Sequence, residues 1–126
     1  MEGYKAVVAR ASKELSAKEK IMLKDMSDAV KLDDEVKEQA IVIKPEFYAI
    51  INVHNEKSDT KDYTKIVIVD GDSGIKYTTG SMPFITTFED IMQEMEDAGE
   101  TDFSLKVYAK ESKNYKGKYF ITCSII

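Results

Sequence analysis

From Phe103 to Lys110 the side chains alternate, with Phe103, Leu105, Val107 and Ala109 in one set and Ser104, Lys106, Tyr108 and Lys110 in the other. Successive side chains of a strand point to opposite faces, so this spacing predicts an extended segment with one apolar face. A polar run follows, Ser112-Lys113-Asn114-Tyr115-Lys116-Gly117, and then Lys118-Tyr119-Phe120-Ile121-Thr122-Cys123-Ser124-Ile125-Ile126. Two patterned runs around a Gly-containing turn predict a β-hairpin. Its polar face and tip interleave lysines with tyrosines. Five lysines against Glu111 give residues 103–126 a charge of +4 inside a chain of −5. Lysine attracts phosphate, and an exposed ring offers a face on which a base can stack.

A chain of 126 residues is long enough for one domain with a real core and too short for two. No apolar run approaches the length of about 18 residues that spans a bilayer, and the N-terminus has no signal-peptide pattern, so no membrane association is expected. With Cys123 as its single cysteine, the chain can form no intrachain disulfide, which suits a reducing cytoplasm. One histidine and one cysteine leave a structural zinc site almost without ligands. The acidic balance does not exclude a nucleic-acid partner, because it is unevenly placed. Residues 81–102 carry seven carboxylates and no lysine or arginine, leaving 18 basic against 16 acidic groups elsewhere. Salt screens charges beyond about 10 Å, so an acidic face and a basic face can coexist.

Tyr4, Val7 and Val8 fit a short strand or an arm within residues 1–18. From Glu19, Ile21 and Leu23 oppose Met22 and Lys24, which predicts a first strand; a helix over 13–31 competes with it through Leu15, Met22, Met26 and Val30. Ile41-Val42-Ile43 is β-rich, Pro45 interrupts it, and a strand resumes from Phe47 to Val53 with Tyr48, Ile50, Asn52 and His54 on one face. Residues 54–62 read as a solvated connection. Tyr63 to Val69 forms the next strand, and Ile75 to Thr79 pairs back across the turn at 70–74. A helix begins near Ser81, with Pro83 in its first turn, and ends before Gly99. Phe84, Phe88, Ile91, Met92 and Met95 form its apolar stripe. Strands flanking one inserted helix argue against a parallel doubly wound sheet. The pattern suits a mainly β chain, a five- to six-stranded antiparallel barrel of the oligonucleotide-binding (OB) type with one amphipathic helix.

No residue set marks an active site, so no enzymatic activity, metal or cofactor is expected. Asp70-Gly71-Asp72-Ser73-Gly74 spaces carboxylates as a calcium loop does but lacks the later acidic ligands, and reads as a β-turn. His54 has no serine or cysteine nucleophile motif beside it. The acids of 89–97 fall on the outer face of the helix. The aromatic–lysine interleaving remains. Tyr108 lies between Lys106 and Lys110, and Tyr115 lies at the hairpin tip with Lys113, Lys116 and Lys118. Tyr48, Tyr63 beside Lys65, and Tyr77 fall mid-strand. In an OB barrel the ligand groove is flanked by loops, here the 54–62 connection with His54, Lys57 and Lys61 and the 111–117 tip. Arg10 is the one arginine, so bidentate reading of guanine edges is not expected and sequence-tolerant binding is.

Several segments carry a resemblance: Leu15 to Ile21, the hairpin around Ile66-Val67-Ile68-Val69-Asp70-Gly71 with Ile75-Lys76-Tyr77, the amphipathic helix, and the closing Ser112 to Phe120. In these the chain resembles the small single-stranded-DNA-binding proteins (SSBs) of tailed bacteriophages of Gram-positive hosts and, more remotely, that of the protein-primed Bacillus phages. The resemblance implies an OB fold and the coating of single-stranded DNA during phage replication or recombination in the host cytoplasm. It leaves open a homo-oligomer and contacts with phage or host replication proteins. Recruitment through a bacterial-type acidic tail with a hydrophobic tip is not expected, since no such tail is present. A different class of function competes: a protein-interaction module, such as a phage inhibitor of a host enzyme, acting through the acidic helix.

Overall fold

The computed structural model describes residues 3–11, 14–25, 27–37, 39–57, 61–100, 102–111 and 119–126, with the side chain of Tyr4 outside that description. In chain order the elements are β1 (Tyr4–Ala11), α1 (Ala17–Lys24), β2 (Val30–Lys31), α2 (Leu32–Glu35), β3 (Ile41–Ile43), β4 (Pro45–Asn55), β5 (Asp62–Asp70), β6 (Lys76–Thr79), α3 (Met82–Asp97), β7 (Leu105–Glu111) and β8 (Tyr119–Ile125). The described residues are mainly β, at 46% strand and 26% helix. The strands form a five-stranded sheet in the order β1-β4-β5-β6-β2 and a three-stranded sheet in the order β3-β7-β8. Neither sheet closes on itself, so the pairing is not that of the single five- to six-stranded barrel expected from the pattern. Two compact units result, Met1–Val30 with Glu46–Gly80, and Lys31–Pro45 with Ser81–Ile126.

In the first unit the alternation of β4 buries Ala49, Ile51 and Val53 on one side, where Val67 of β5 and Leu15 and Leu23 join them. Ala6, Val8 and Ala11 of β1 pack onto the same cluster. The segment expected as a strand at residues 19–24 is the helix α1 instead. Ser16 accepts from the Glu19 N–H at 3.2 Å, and Glu19 accepts from the Ser16 N–H at 3.1 Å. This reciprocal capping box satisfies two orphan donors and outweighs four residues of alternation. Only Leu23 of the helix is buried, while Ile21 and Met22 are exposed. Lys76 of β6 meets the other end of α1, its Nζ lying 2.8 Å from the Met22 carbonyl oxygen and 2.6 Å from that of Asp25. A cation there complements the negative pole of the helix.

β5 and β6 form the expected hairpin, with Ile66 opposite Thr79 and Val69 opposite Lys76. Its turn is closed by Ser73, whose hydroxyl donates to the Asp70 carboxylate at 2.6 Å. That carboxylate therefore serves the turn, and no cluster of three or more metal-ligating side chains occurs among the described residues.

In the second unit, α3 starts and stops where its punctuation predicts. Ser81 is its N-cap residue and Pro83 sits in the first turn. At the other end Gly99 takes φ 72°, which frees its N–H for the Glu96 carbonyl at 3.0 Å while Glu100 N–H reaches Met95 at 2.9 Å. A side chain would strain that left-handed residue. The buried face is Phe84, Ile85 and Phe88, with the two rings stacked at 5.7 Å. Ile91, Met92 and Met95, expected in the same stripe, are half-buried. α3 packs against β8.

Candidate nucleic-acid interface

The register of the three-stranded sheet decides which side chains share a face. Val42 of β3 stands opposite Lys106 of β7, and Lys106 stands opposite Ser124 of β8. Tyr108 faces Thr122, and Lys110 faces Phe120. Residues opposed across an antiparallel pair point the same way, so these seven side chains form one face. The alternate residues Ile43, Leu105, Val107, Ile121 and Cys123 are buried. On the first face, Lys106 and Lys110 are exposed, Val42 is 58% exposed, and Tyr108 and Phe120 are half-buried. Among the described residues of β3, β7 and β8 that point to it, this face holds two cations, two rings and no carboxylate. Glu111 pairs with Tyr119 and takes the other side.

Tyr108 is held in place on this face. Its hydroxyl lies 3.0 Å from Ser124 Oγ, diagonal to its own partner Thr122, so the side chain leans toward the Lys106–Ser124 row. Lys106 Nζ accordingly sits 5.7 Å from the ring centroid, within cation–π range. A ring fixed by a hydrogen bond loses less rotamer freedom when a ligand packs on it.

Five other candidate residues, Tyr48, His54, Tyr63, Lys65 and Tyr77, belong to the five-stranded sheet. Tyr63 and Lys65 fall on the side of β5 that carries Val67, where Tyr63 packs against the core cluster and Lys65 Nζ lies 6.0 Å from its ring. Tyr48 and His54 take the opposite side of the five-stranded sheet, as the alternation of β4 predicts, and Tyr77 sits opposite the buried Ile68. On the rim at 54–62, His54 is engaged twice. Nδ1 lies 2.7 Å from Asp62 Oδ1 and Nε2 lies 2.7 Å from Glu56 Oε1. These hydrogen bonds, first Asp62 and then Glu56, raise the imidazole pKa. Lys61 Nζ meets Glu56 Oε2 at 3.2 Å, and the exposed Lys57 donates its main-chain N–H to Asn55 Oδ1 at 3.0 Å. Cations neutralised by adjacent carboxylates make a poor phosphate track. The tip residues Lys113, Tyr115, Lys116 and Lys118 lie outside the described residues.

Phe120 and Val42 were missing from the sequence-derived set. The hairpin register carries the signal for Phe120, since a chain turning at 112–117 sets it beside Lys110. Val42 joins only through the long-range pairing of β3 with β7. Among the described residues no helix is long and apolar enough to cross a membrane. Comparison with models of protein families, with curated proteins and with solved structures returns no match.

Proposed function

We propose that the protein binds single-stranded DNA without sequence selection, on the open face of the three-stranded sheet. The observation that carries this is the pinned Tyr108 ring between Lys106 and Lys110, on a face with Phe120 and, among its described strand residues, no carboxylate. Every base has a flat face, so stacking on such rings tolerates any sequence and contributes roughly 1–3 kcal/mol per base. Lysines follow the backbone as point charges and carry no base preference. Stacking asks for rings on an accessible sheet face, which open sheets also supply, so a closed OB barrel is not a requirement. In this reading the protein coats single strands during phage DNA replication or recombination in the host cytoplasm, as the resemblance of its segments to phage SSBs implies.

The test is a titration of a labelled dT oligonucleotide and a matched duplex at low salt. Single strands are expected to bind far more tightly, because paired bases cannot stack on protein rings. Equal affinity for the two forms, or no binding of either, overturns the proposal.

A further inference from the structure

Along the outer edge of β1 runs a groove of about 580 Å³ whose charge is one-sided. β1 supplies Lys5 and Arg10, α1 supplies Lys20 and Lys24, and Glu14 is the single carboxylate among the described residues that line it. β1 ends the five-stranded sheet and pairs with β4 alone, so no strand occupies this edge among the described residues. A break in the ladder sets the side that Arg10 takes. Lys5 is opposite His54, Val7 is opposite Asn52 and, after a register shift between Val8 and Arg10, Arg10 is opposite Ile50. Those three partners share one face of β4, so the extra residue Ala9 turns Arg10 to the side of Lys5 and away from the core side of Ala6 and Val8. Lys20 and Lys24 stand one helical turn apart, roughly 6 Å along the axis of α1.

Two features decide what this groove takes. Bulged, charged edges resist the addition of another strand, which disfavours a peptide paired to β1. No aromatic side chain among the described residues lines the groove, so those residues offer cations without a stacking platform. We infer that it holds the sugar–phosphate backbone of a single strand, as an electrostatic contact separate from the stacking face of β7 and β8. This rests on the single-strand binding proposed above.

The experiment measures affinity for a labelled dT oligonucleotide against salt, using the full chain, the Lys20→Gln/Lys24→Gln double variant, Lys18→Gln and Tyr108→Ala. Thermal melts confirm that each variant is folded. The double variant should lose affinity at low salt and flatten the logarithmic salt slope by about 1.4, at about 0.7 per phosphate contact. Lys18, exposed on the same helix but outside the groove, should keep the wild-type slope when changed. Tyr108→Ala should weaken binding at every salt concentration and leave the slope alone. Wild-type binding with an unaltered slope in the double variant overturns the groove and leaves the single-strand reading standing. Absence of wild-type binding removes both. Poly-glutamate binding more tightly than dT, with that binding lost in the double variant, would assign the groove to an acidic protein segment and overturn the inference.

Discussion

His54 is bonded to Asp62 across the mouth of the β4–β5 connection, with Nδ1 2.7 Å from the carboxylate oxygen. Glu56 holds the other ring nitrogen at the same distance. Asn55 N–H also reaches the Lys61 carbonyl at 2.7 Å, so side chains and main chain close the connection together. Lys5 of β1 stands opposite His54 in the ladder, and Lys61 pairs with Glu56.

The first prediction concerns the pH dependence of this cluster. The two carboxylates raise the pKa of His54 above 6.5, so its contribution to stability is complete below 6.5 and is lost as pH rises through the raised value. Glu56 is shifted down from 4.5, chiefly by its hydrogen bond to His54, so its contribution is present above 4.5 and is lost as pH falls through the lowered value. The thermal midpoint of the wild type should therefore exceed that of His54→Gln most between pH 4.5 and 6.5. The gap should narrow toward alkaline pH. A difference that stays constant from pH 5 to 9 would show that protonation of His54 plays no part.

For Tyr108 the prediction separates ring from hydroxyl. Tyr108→Ala removes the stacking platform and should weaken single-strand binding by about 1–3 kcal/mol. Tyr108→Phe keeps the ring and loses only its hydrogen bond to Ser124, so binding should fall by less than about 1 kcal/mol. Glu94→Lys, on the exposed side of α3, should leave binding unchanged or slightly stronger. Normal binding by a folded Tyr108→Ala protein would remove the face from the proposal. Loss of binding with Glu94→Lys would favour the acidic helix as the working surface.

How much of this was legible depended on the range of the signal. β7, β8, β5, β6 and α3 each repeat their pattern over enough residues, or carry enough turn and cap punctuation, to declare themselves. α1 does not, because eight residues with one buried side chain support either period; the deciding signal is the Ser16–Glu19 pair, whose spacing is that of a capping box. β2 and α2, at two and four residues, are too short to show a period at all. Barrel closure failed for a different reason. The pairing of Ile43 with Leu105 joins residues far apart in sequence, and no local pattern encodes which distant strands meet. Tyr108 could be assigned to a face because its own strand is long and cleanly alternating. Tyr63 could not, since its side depends on where β5 sets its register, and that register turns it to the core.

The capping box yields a stability prediction. Ser16→Ala removes the acceptor for Glu19 N–H and should destabilise the protein by about 0.5–2 kcal/mol in chemical unfolding. Ser16→Asp keeps an acceptor and adds charge at the positive pole of α1, so it should match or exceed wild type. If Ser16→Ala unfolds like wild type, the reciprocal pair contributes nothing measurable and α1 is held by the burial of Leu23 and the Lys76 contacts at its other end.

Cys123 offers a probe of the sheet that does not rely on binding. It lies opposite Val107 on the buried face, is 4% exposed, and burial pushes its thiol up to about 11. The thiolate is the reactive form, so a thiol reagent at pH 8 should label the native protein slowly and the denatured protein at once. Labelling then proceeds through opening of the sheet, at a rate set by the free energy of that opening. A ligand that binds only the closed form slows such opening by mass action. With a dT oligonucleotide at a hundred times its Kd, the gain is about 2.7 kcal/mol, or roughly 100-fold in labelling rate. Tyr108→Ala should lose most of that protection at the same oligonucleotide concentration while labelling normally without DNA. Rapid labelling of native protein would contradict the buried placement of Cys123. Slow labelling that an oligonucleotide fails to slow further, under conditions where it binds, would move the bound strand off the β7–β8 sheet.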